Sequence, residues 1–203
     1  IMNMKWYAMV ILSVIGFTVF AFDQESNTVI KLTIPQDNAE FRSFGATDLR
    51  NELVKNIALI GSGHENRAVI RKLRVELARR GDKEERDKLF SALKSPILAE
   101  QADALEDVAQ LADREAVYHL AEMLSDPNPG GRITYVTQDG GIAKSGDCAV
   151  SPPRIAAALK LATLIEDPPV PPIGADKKFY TEEDVLTWRR WWETNKANFL
   201  AVQ

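Results

Sequence analysis

The chain has 203 residues, of which 45% are hydrophobic and 27% are charged, and this composition is typical of a packed globular protein. The length accommodates one domain, or one domain with appendages. A formal net charge of -4 gives no basic field of the kind that nucleic acids require, so we expect no nucleic-acid partner.

The N-terminus has the pattern of an export signal. Lys5 is the only charged residue before Asp23, and residues 6–22 form an uncharged, mostly apolar run. A basic start followed by an apolar centre and small residues predicts a signal peptide over residues 1–21, cleaved after Ala21. The alternative is an uncleaved anchor formed by residues 6–22. Both hypotheses place the rest of the chain outside the cytoplasm, in the periplasm or the extracellular space, with no other membrane contact.

Residues 22–46 are predicted to form an extended N-terminal segment. Ile30, Leu32 and Ile34 alternate with polar residues, which predicts a short strand that ends at Pro35. Cys148 is the only cysteine, so an exported domain has no internal disulfide and depends on its apolar core.

Helical spacing of apolar residues begins after this segment. A first helix is predicted over residues 48–60, with Thr47 as its N-cap and an inner face formed by Leu49, Leu53, Ile57 and Ile60. A second helix is predicted over residues 65–80 and stops at Gly81. Its inner face is Val69, Ile70, Leu73 and Leu77, and its outer face is Arg67, Arg71 and Arg74.

Three further helices are indicated by their caps. Asp82 with Glu85 predicts the start of the third helix, which closes near Lys94. Ser95 and Pro96 predict the start of the fourth helix. The fourth and fifth helices join through residues 113–115, and the fifth is predicted to bury Val117, Leu120, Ala121 and Leu124.

A 31-residue offset relates parts of these helices. It aligns Gly81 with Ala112, Asp82 with Asp113, and three apolar positions of the third helix with three positions of the fifth. The motif of the longer copy consists of Leu105, Val108, Ala109, Ala112, Asp113, Ala116, Val117, Leu120, Leu124, Ser125 and Asp126. It resembles a HEAT or HEAT-like repeat, and the resemblance covers residues 49–126, with residues 152–165 as a candidate further helix. The implied fold is all-α, a short superhelical stack of helix pairs over residues 47–203.

The last third of the chain departs from this pattern. Residues 127–150 are rich in Gly and Asp, and the Asp139-Gly140 dipeptide predicts an inserted β-hairpin or loop. A sixth helix is predicted from Ser151-Pro152 to Ile165, followed by a proline-rich connector. Thr181 and Asp184 then predict the cap of a last helix that contains Trp188, Trp191 and Trp192. We interpret it as a helix that closes the open end of the stack; the alternative is an exposed aromatic surface for sugar or peptide.

Chemical sites are weakly indicated. His119 and Glu122 are three residues apart on the fifth helix, which suits two ligands of one metal ion, but no third ligand is evident. Cys148 is a candidate nucleophile if His119 or His64 activates it, although no flanking signature accompanies it. We therefore predict no metal, no cofactor and no catalytic set.

The resemblance implies that the second helix of each pair lines the concave side of the stack. The predicted partner-binding residues are the outward positions of the third and fifth helices: Asp87, Lys88, Ser91, Tyr118, His119 and Glu122. The predicted function is that of a non-enzymatic, protein-binding scaffold of the periplasm or cell envelope. One alternative is an enzyme with a HEAT-like fold, since some HEAT-like proteins resemble bilin lyases, with a pocket between Asp139–Cys148 and the fifth helix. Another is a structural envelope spacer.

Overall fold

Seven α-helices and one strand pair make up the part of the chain that the structure describes. This computed structural model describes residues 32, 41, 43–60, 67–139, 142–174 and 177–201. The elements are α1 (Ala46–Ala58), α2 (Arg67–Arg79), α3 (Lys83–Ala92), α4 (Leu98–Ala109), α5 (Arg114–Glu122), β1 (Gly131–Asp139), β2 (Ile142–Val150), α6 (Pro153–Leu164) and α7 (Glu182–Ala201). The mostly helical content agrees with the predicted all-α class. Within the described ranges, no helix combines the length and apolarity needed to cross a bilayer; residues 6–22 lie outside them.

Helix α1 begins and ends earlier than predicted. Its N-cap is Gly45, because the Asp48 carboxylate accepts a hydrogen bond from the Gly45 amide at 3.1 Å, so Thr47 is not the cap. Leu49 and Leu53 are buried against α2, but Ile57 and Ile60 are exposed, which corrects the predicted inner face. The reason is that α1 packs on one neighbouring helix, α2, and the chain leaves helical geometry after Ala58.

The outer face predicted for α2 is also partly wrong. Arg67 is exposed, but Arg71 and Arg74 are half-buried. Arg71 donates from Nε and Nη2 to the buried carboxylate of Asp107 on α4, at 3.0 Å and 2.8 Å. The long aliphatic stem of arginine lets the side chain lie along the packed surface while its guanidinium reaches a partner. The predicted start of this helix at Glu65 lies outside the described residues.

The turns before α3 and α5 have similar geometry. Gly81 has a φ of 87° and Ala112 a φ of 49°, so both residues are left-handed. The Asp82 carboxylate then accepts from the Glu85 amide at 3.2 Å, and the Asp113 carboxylate accepts from the Ala116 amide at 2.9 Å. Each aspartate satisfies an amide that has no partner inside its helix.

The N-cap of helix α4 lies two residues later than predicted. Ser95 and Pro96 precede the helix, and Ile97 is its N-cap. The Ser95 hydroxyl accepts from the Ile97 amide at 3.1 Å and donates to Glu100 at 2.6 Å, so it stabilises the turn that leads into the helix. Gln101, on the first turns of α4, is buried and donates to the Leu93 carbonyl at 3.0 Å.

The predicted hairpin is present as an antiparallel strand pair. Gly131 pairs with Val150 and Asp139 with Ile142, in one continuous register. Its Gly140-Gly141 turn lies outside the described residues. The base of the hairpin contacts α4, where Gly131 lies beside Leu98. The strand pair is therefore an appendage on the helical body.

Helices α6 and α7 complete the larger core. Pro152 is the N-cap of α6, and Thr181 and Asp184 form the predicted reciprocal cap of α7. The connector between them is fixed by Tyr180, whose hydroxyl donates to the Pro171 carbonyl at 2.8 Å, and burial raises the pKa of Tyr180 to about 12. Trp188, Trp192 and Phe199 of α7 are all buried in this core.

The helices contact one another in two rows. Each helix packs on the one before it, and α2 also contacts α4, which contacts α6. On the other side, α5 contacts α7 directly and meets α3 through side chains. A second, smaller core of Phe41, Leu49, Leu53, Ile70, Leu73 and Leu77 joins α1 and α2. Leu32, from the predicted N-terminal strand, forms an isolated antiparallel bridge with Ile165; Ile30 and Ile34 lie outside the described residues.

Candidate functional site

The six predicted partner-binding residues lie on the outward sides of α3 and α5, which we call the α3–α5 face. Asp87, Lys88 and Ser91 of α3 are exposed, as is Glu122 of α5. Tyr118 and His119 are half-buried, because their rings fill the spaces on either side of α5. The face therefore combines exposed charges with aromatic rings that are already packed.

His119 connects α5 to α3. Its imidazole stacks on the Phe90 ring with a centroid distance of 4.1 Å and an interplanar angle of 27°. Burial lowers the pKa of His119, an effect that Lys94 and Arg86 reinforce and that Glu115 and Glu122 oppose. The imidazole is consequently neutral at pH 7 and acts mainly as a flat packing surface.

Tyr118 connects α5 to α7. Its ring meets Trp192 edge-on at a centroid distance of 6.1 Å, and Trp192 meets Phe199 at 5.4 Å. Tyr118 also meets His119 at 5.5 Å, so five rings form one continuous series from α3 across α5 to α7. We call this series the aromatic row; it consists of Phe90, His119, Tyr118, Trp192 and Phe199. Edge-to-face and offset contacts of this kind add about 1 kcal/mol each beyond the area they bury.

Arg86 of α3 forms ion pairs with residues at the start of α5. Its guanidinium donates to Glu115 Oε2 at 2.6 Å and 3.1 Å, and its Nη1 lies 2.8 Å from Asp113 Oδ2. It also lies over the Phe90 ring, at 5.5 Å from the centroid. The planar five-donor fork of arginine makes these contacts simultaneously, which an ammonium group does not do. The spacing of α3 and α5 is therefore fixed by an ionic and an aromatic contact together.

Lys88 belongs to a different group of charges from the aromatic row. Its ammonium lies 2.7 Å from Glu84 and 2.8 Å from Glu85, and these hydrogen bonds, that of Glu84 foremost, raise the pKa of Lys88. Glu85 is buried, and its other carboxylate oxygen lies 3.5 Å from Arg74 of α2. Lys88 thus compensates a buried carboxylate and faces the α1–α2 end of the molecule.

Two cavities lie near residues that the sequence singled out. The first, of about 210 Å³, is bounded by α5, the turn that follows it and α7, and includes Glu122, Ser125 and Arg189. The second, of about 270 Å³, lies between α4, α6 and the last residues of β2. The base of the hairpin contacts α4. A pocket between Asp139–Cys148 and the fifth helix stays a prediction, because part of that segment lies outside the described residues.

Cys148 and His119, two of the other chemical candidates, lie on different elements. Cys148 is exposed on β2 opposite Ile133, with its thiol 3.5 Å from the Ala149 carbonyl. His119 lies in the aromatic row, and His64 lies outside the described residues. In the part of the chain that the structure describes, no three His, Cys, Asp or Glu side chains are grouped in a way that holds a metal ion.

Helical spacing does not predict that Phe90, Arg86 and Trp192 pack against residues of this face. The sequence pattern identifies Phe90 as an apolar position of the third helix and Trp192 as part of a closing helix. Helical spacing identifies which side of one helix is buried, but it does not identify which ring of a distant helix that side meets. The sequence signal that indicates such contacts is that three helices, α3, α5 and α7, each carry aromatic residues next to their apolar positions.

Protein-family models, curated proteins and solved structures were compared with the chain, and none of them matches it. The chain is a mostly helical protein with a small antiparallel sheet in its described part.

Proposed function

We propose that this chain is a non-enzymatic scaffold that binds another protein on the α3–α5 face. The observation that carries the proposal is the aromatic row, which joins α3, α5 and α7 beneath exposed charged residues. A face whose rings are already packed loses little conformational freedom when a partner docks. Tyr118 and His119 are the half-buried rings of the row, and tyrosine is enriched among the residues that contribute most to protein interfaces.

A HEAT-like arrangement of the helices is part of this proposal. It is supported by the left-handed residues Gly81 and Ala112 and by the aspartate caps that follow them, which are 31 positions apart in the sequence. Leu89 of α3 and Leu93, the C-cap of α3, are buried, as are their counterparts Leu120 and Leu124. If the pairs are repeats, α3 and α5 are equivalent second helices, and the α3–α5 face is a surface of the stack.

The proposed place of action is the periplasm or the cell envelope. This part rests on Lys5 and the apolar run of residues 6–22, which lie outside the described residues. A partner would therefore be another protein of the same compartment. Mass spectrometry of the mature N-terminus after expression in a bacterial host tests the expectation, because cleavage after Ala21 yields a chain that begins at Phe22.

Affinity capture with charge-reversal variants tests the docking face. Asp87→Lys and Glu122→Lys alter exposed carboxylates of the face, and Lys178→Glu reverses an exposed charge in the connector as a control. We expect a partner that is captured from the envelope fraction by the wild type and by Lys178→Glu, and that the two face variants bind at least about tenfold more weakly. Equal capture by all four proteins would place the partner elsewhere, and capture of no specific protein would contradict a scaffold.

A thiol-dependent enzyme is the second candidate, and one observation favours it. Cys148 is exposed, and the residues that follow it, Ala149 and Val150, border the cavity between α4 and α6. A nucleophilic cysteine reacts faster than an ordinary thiol because more of it is thiolate at neutral pH. Labelling of Cys148 with a thiol reagent at pH 7, compared with a small free thiol, tests this candidate; an equal or slower rate would remove it.

A further inference from the structure

The cavity of about 270 Å³ between α4, α6 and the end of β2, which we call the α4–α6 cavity, is lined mainly by aliphatic side chains. Its walls include the large half-buried residues Leu98, Ile155 and Leu159. Ala102 and Ala156 also line it, and their small side chains leave the space between the two helices open. A mostly apolar concavity with a few polar groups is the usual form of a small-molecule site in a protein.

The charged groups of the α4–α6 cavity are the side chains of Lys160 and Glu106. Lys160 Nζ lies 2.6 Å from Glu106 Oε1. The Lys160 side chain is 22% exposed and that of Glu106 is 58% exposed, so the cation is the more deeply placed member of the pair. An ammonium group has three N–H donors, and Glu106 is its one carboxylate partner among the described residues. Lys160 therefore has donors left for a second anionic group.

The wall that β2 contributes is held in place by the base of the hairpin. Gly130 has a left-handed φ of 76°, and a Cβ added there would lie 2.5 Å from the Val150 carbonyl oxygen, so the two strand ends pass closely. Arg154 of α6 donates to the Asn128 carbonyl at 2.8 Å and pairs with Glu182 of α7 at 2.6 Å. Because these contacts join the base of the hairpin to α6, the cavity is preformed, and a ligand that enters it orders little of the protein.

We propose that the α4–α6 cavity binds a medium-chain aliphatic carboxylate, with its carboxylate on Lys160 and its chain between α4 and α6. A volume of about 270 Å³ holds about nine non-hydrogen atoms if each takes the roughly 30 Å³ that a water molecule occupies in the liquid. A carboxylate of about six to eight carbons has this size. The helix from Leu98 to Glu106 rises by about 12 Å, which gives an extended chain room to lie along α4.

Charge favours a carboxylate over an amine as the head group of the ligand. A ligand carboxylate shares the Lys160 ammonium with Glu106, which also lies within electrostatic reach of Arg71 on α2. A ligand amine would instead bring a second cation to the less exposed side of the pair, where water screens the repulsion least. The cavity lies in the row of α2, α4 and α6, so the inference concerns a site separate from the α3–α5 face and goes beyond the proposed function.

Calorimetric titration of the full chain with sodium octanoate, below the concentration at which octanoate forms micelles, tests the site. We expect saturable binding with a dissociation constant below about 1 mM. Octylamine has the same aliphatic chain and the opposite charge, and it should bind at least about tenfold more weakly. Absence of octanoate binding, or equally tight binding of octylamine, overturns the proposal.

Charge variants test the role of Lys160. Lys160→Met keeps an aliphatic side chain in the wall and removes the cation, so octanoate affinity should fall at least about tenfold. Lys55→Met, at an exposed lysine of α1, is the matched control and should leave the affinity unchanged. Glu106→Gln removes the competing carboxylate and should tighten binding by about two- to threefold. Equal affinities for the two lysine variants, or weaker binding by Glu106→Gln, would contradict the assigned head group.

A filling variant tests the place of the aliphatic chain. Ala156→Leu puts a larger side chain into the cavity from its α6 wall, so octanoate binding should fall at least about tenfold. Circular dichroism confirms that the variant is folded. Wild-type affinity in folded Ala156→Leu would mean that octanoate binds elsewhere, and the proposal would be overturned.

Discussion

His119 is both an aromatic packing surface and a titratable group. Burial lowers the pKa of His119 below its ordinary value of 6.5. Above that pH the imidazole is neutral in the folded and the unfolded chain, so it adds no pH dependence. Below it the unfolded chain takes up the proton more readily, so His119 makes the folded state less stable as the pH falls through this window.

We expect His119→Phe to remove this acid sensitivity, because phenylalanine retains a ring against Phe90 and carries no proton. The free energy of unfolding of the wild type should fall more steeply between pH 7.5 and 5.5 than that of the variant. Denaturant unfolding at three pH values in this range provides the measurement. Carboxylates whose pKa is lowered by partners, such as Glu182 beside Arg154, act at lower pH. If the free energy of unfolding depends on pH in the same way for both proteins, the His119 imidazole is as accessible to protons in the folded chain as in the unfolded chain, which would contradict the prediction.

The two left-handed residues should respond differently to substitution. A methyl group added at Gly81 meets no atom within 4 Å, so the cost of Gly81→Ala is conformational and should be about 1 kcal/mol. Ala112 already has its methyl group in the left-handed region, and it is buried. Ala112→Gly therefore relieves strain but loses buried surface, and we expect a net change within about 0.5 kcal/mol. Urea unfolding measures the free energy of unfolding of both variants. A larger decrease in this free energy for Ala112→Gly than for Gly81→Ala would contradict the prediction.

At the scale of single elements, the joint between α3 and α5 depends on Arg86. Arg86→Ala leaves Asp113 and Glu115 without their cation and should lower the free energy of unfolding by about 2 kcal/mol. Arg86→Lys keeps the charge but replaces the fork with a single ammonium, so we expect it to recover less than half of this loss. Thermal and urea unfolding measure both variants. Full recovery by lysine would show that charge alone joins the two helices.

The buried positions and caps of each helix could largely be predicted from its own sequence. The residues of other elements that contact the helix could not. The apolar positions of α5 and the aspartate caps of α3 and α5 are local features, and the structure has them where spacing places them. Glu85, Gln101 and Asp107 are buried although they are polar. Their burial depends on Lys88, Leu93 and Arg71 respectively, and two of these three partners lie on another helix or in another turn. No local window of sequence contains that information.

The candidate site was predictable to a similar degree. Spacing on α3 and α5 identified the outward side, and Asp87, Ser91 and Glu122 are exposed there. It did not show that Tyr118 and His119 are half-buried, because the rings that cover them belong to α7 and α3. Helix boundaries shifted by two residues where side chains such as Ser95 bond within a turn in place of capping the helix.

At the scale of the whole molecule, α7 stabilises the larger core through Trp188, which is completely buried. Trp188→Ala removes the largest of the fully buried side chains in the described part of the chain and should lower the free energy of unfolding by about 3 to 5 kcal/mol. Trp191→Ala, at a half-buried position of the same helix, is the matched control and should cost clearly less. Chemical unfolding followed by far-ultraviolet circular dichroism compares them. A similar decrease in the free energy of unfolding for the two variants would mean that Trp188 is not buried more deeply in the core than Trp191.

The bridge between Leu32 and Ile165 has a consequence for how the chain matures during its synthesis. Leu32 leaves the ribosome early, whereas Ile165 follows only after the first six helices and the hairpin have been made. The two residues are 133 positions apart in the sequence, so at translation rates of about 5 to 20 residues per second Leu32 waits roughly 7 to 27 seconds for Ile165 to be made. The bridge is thus a contact that forms late, after the residues of the first six helices and of the hairpin have been made.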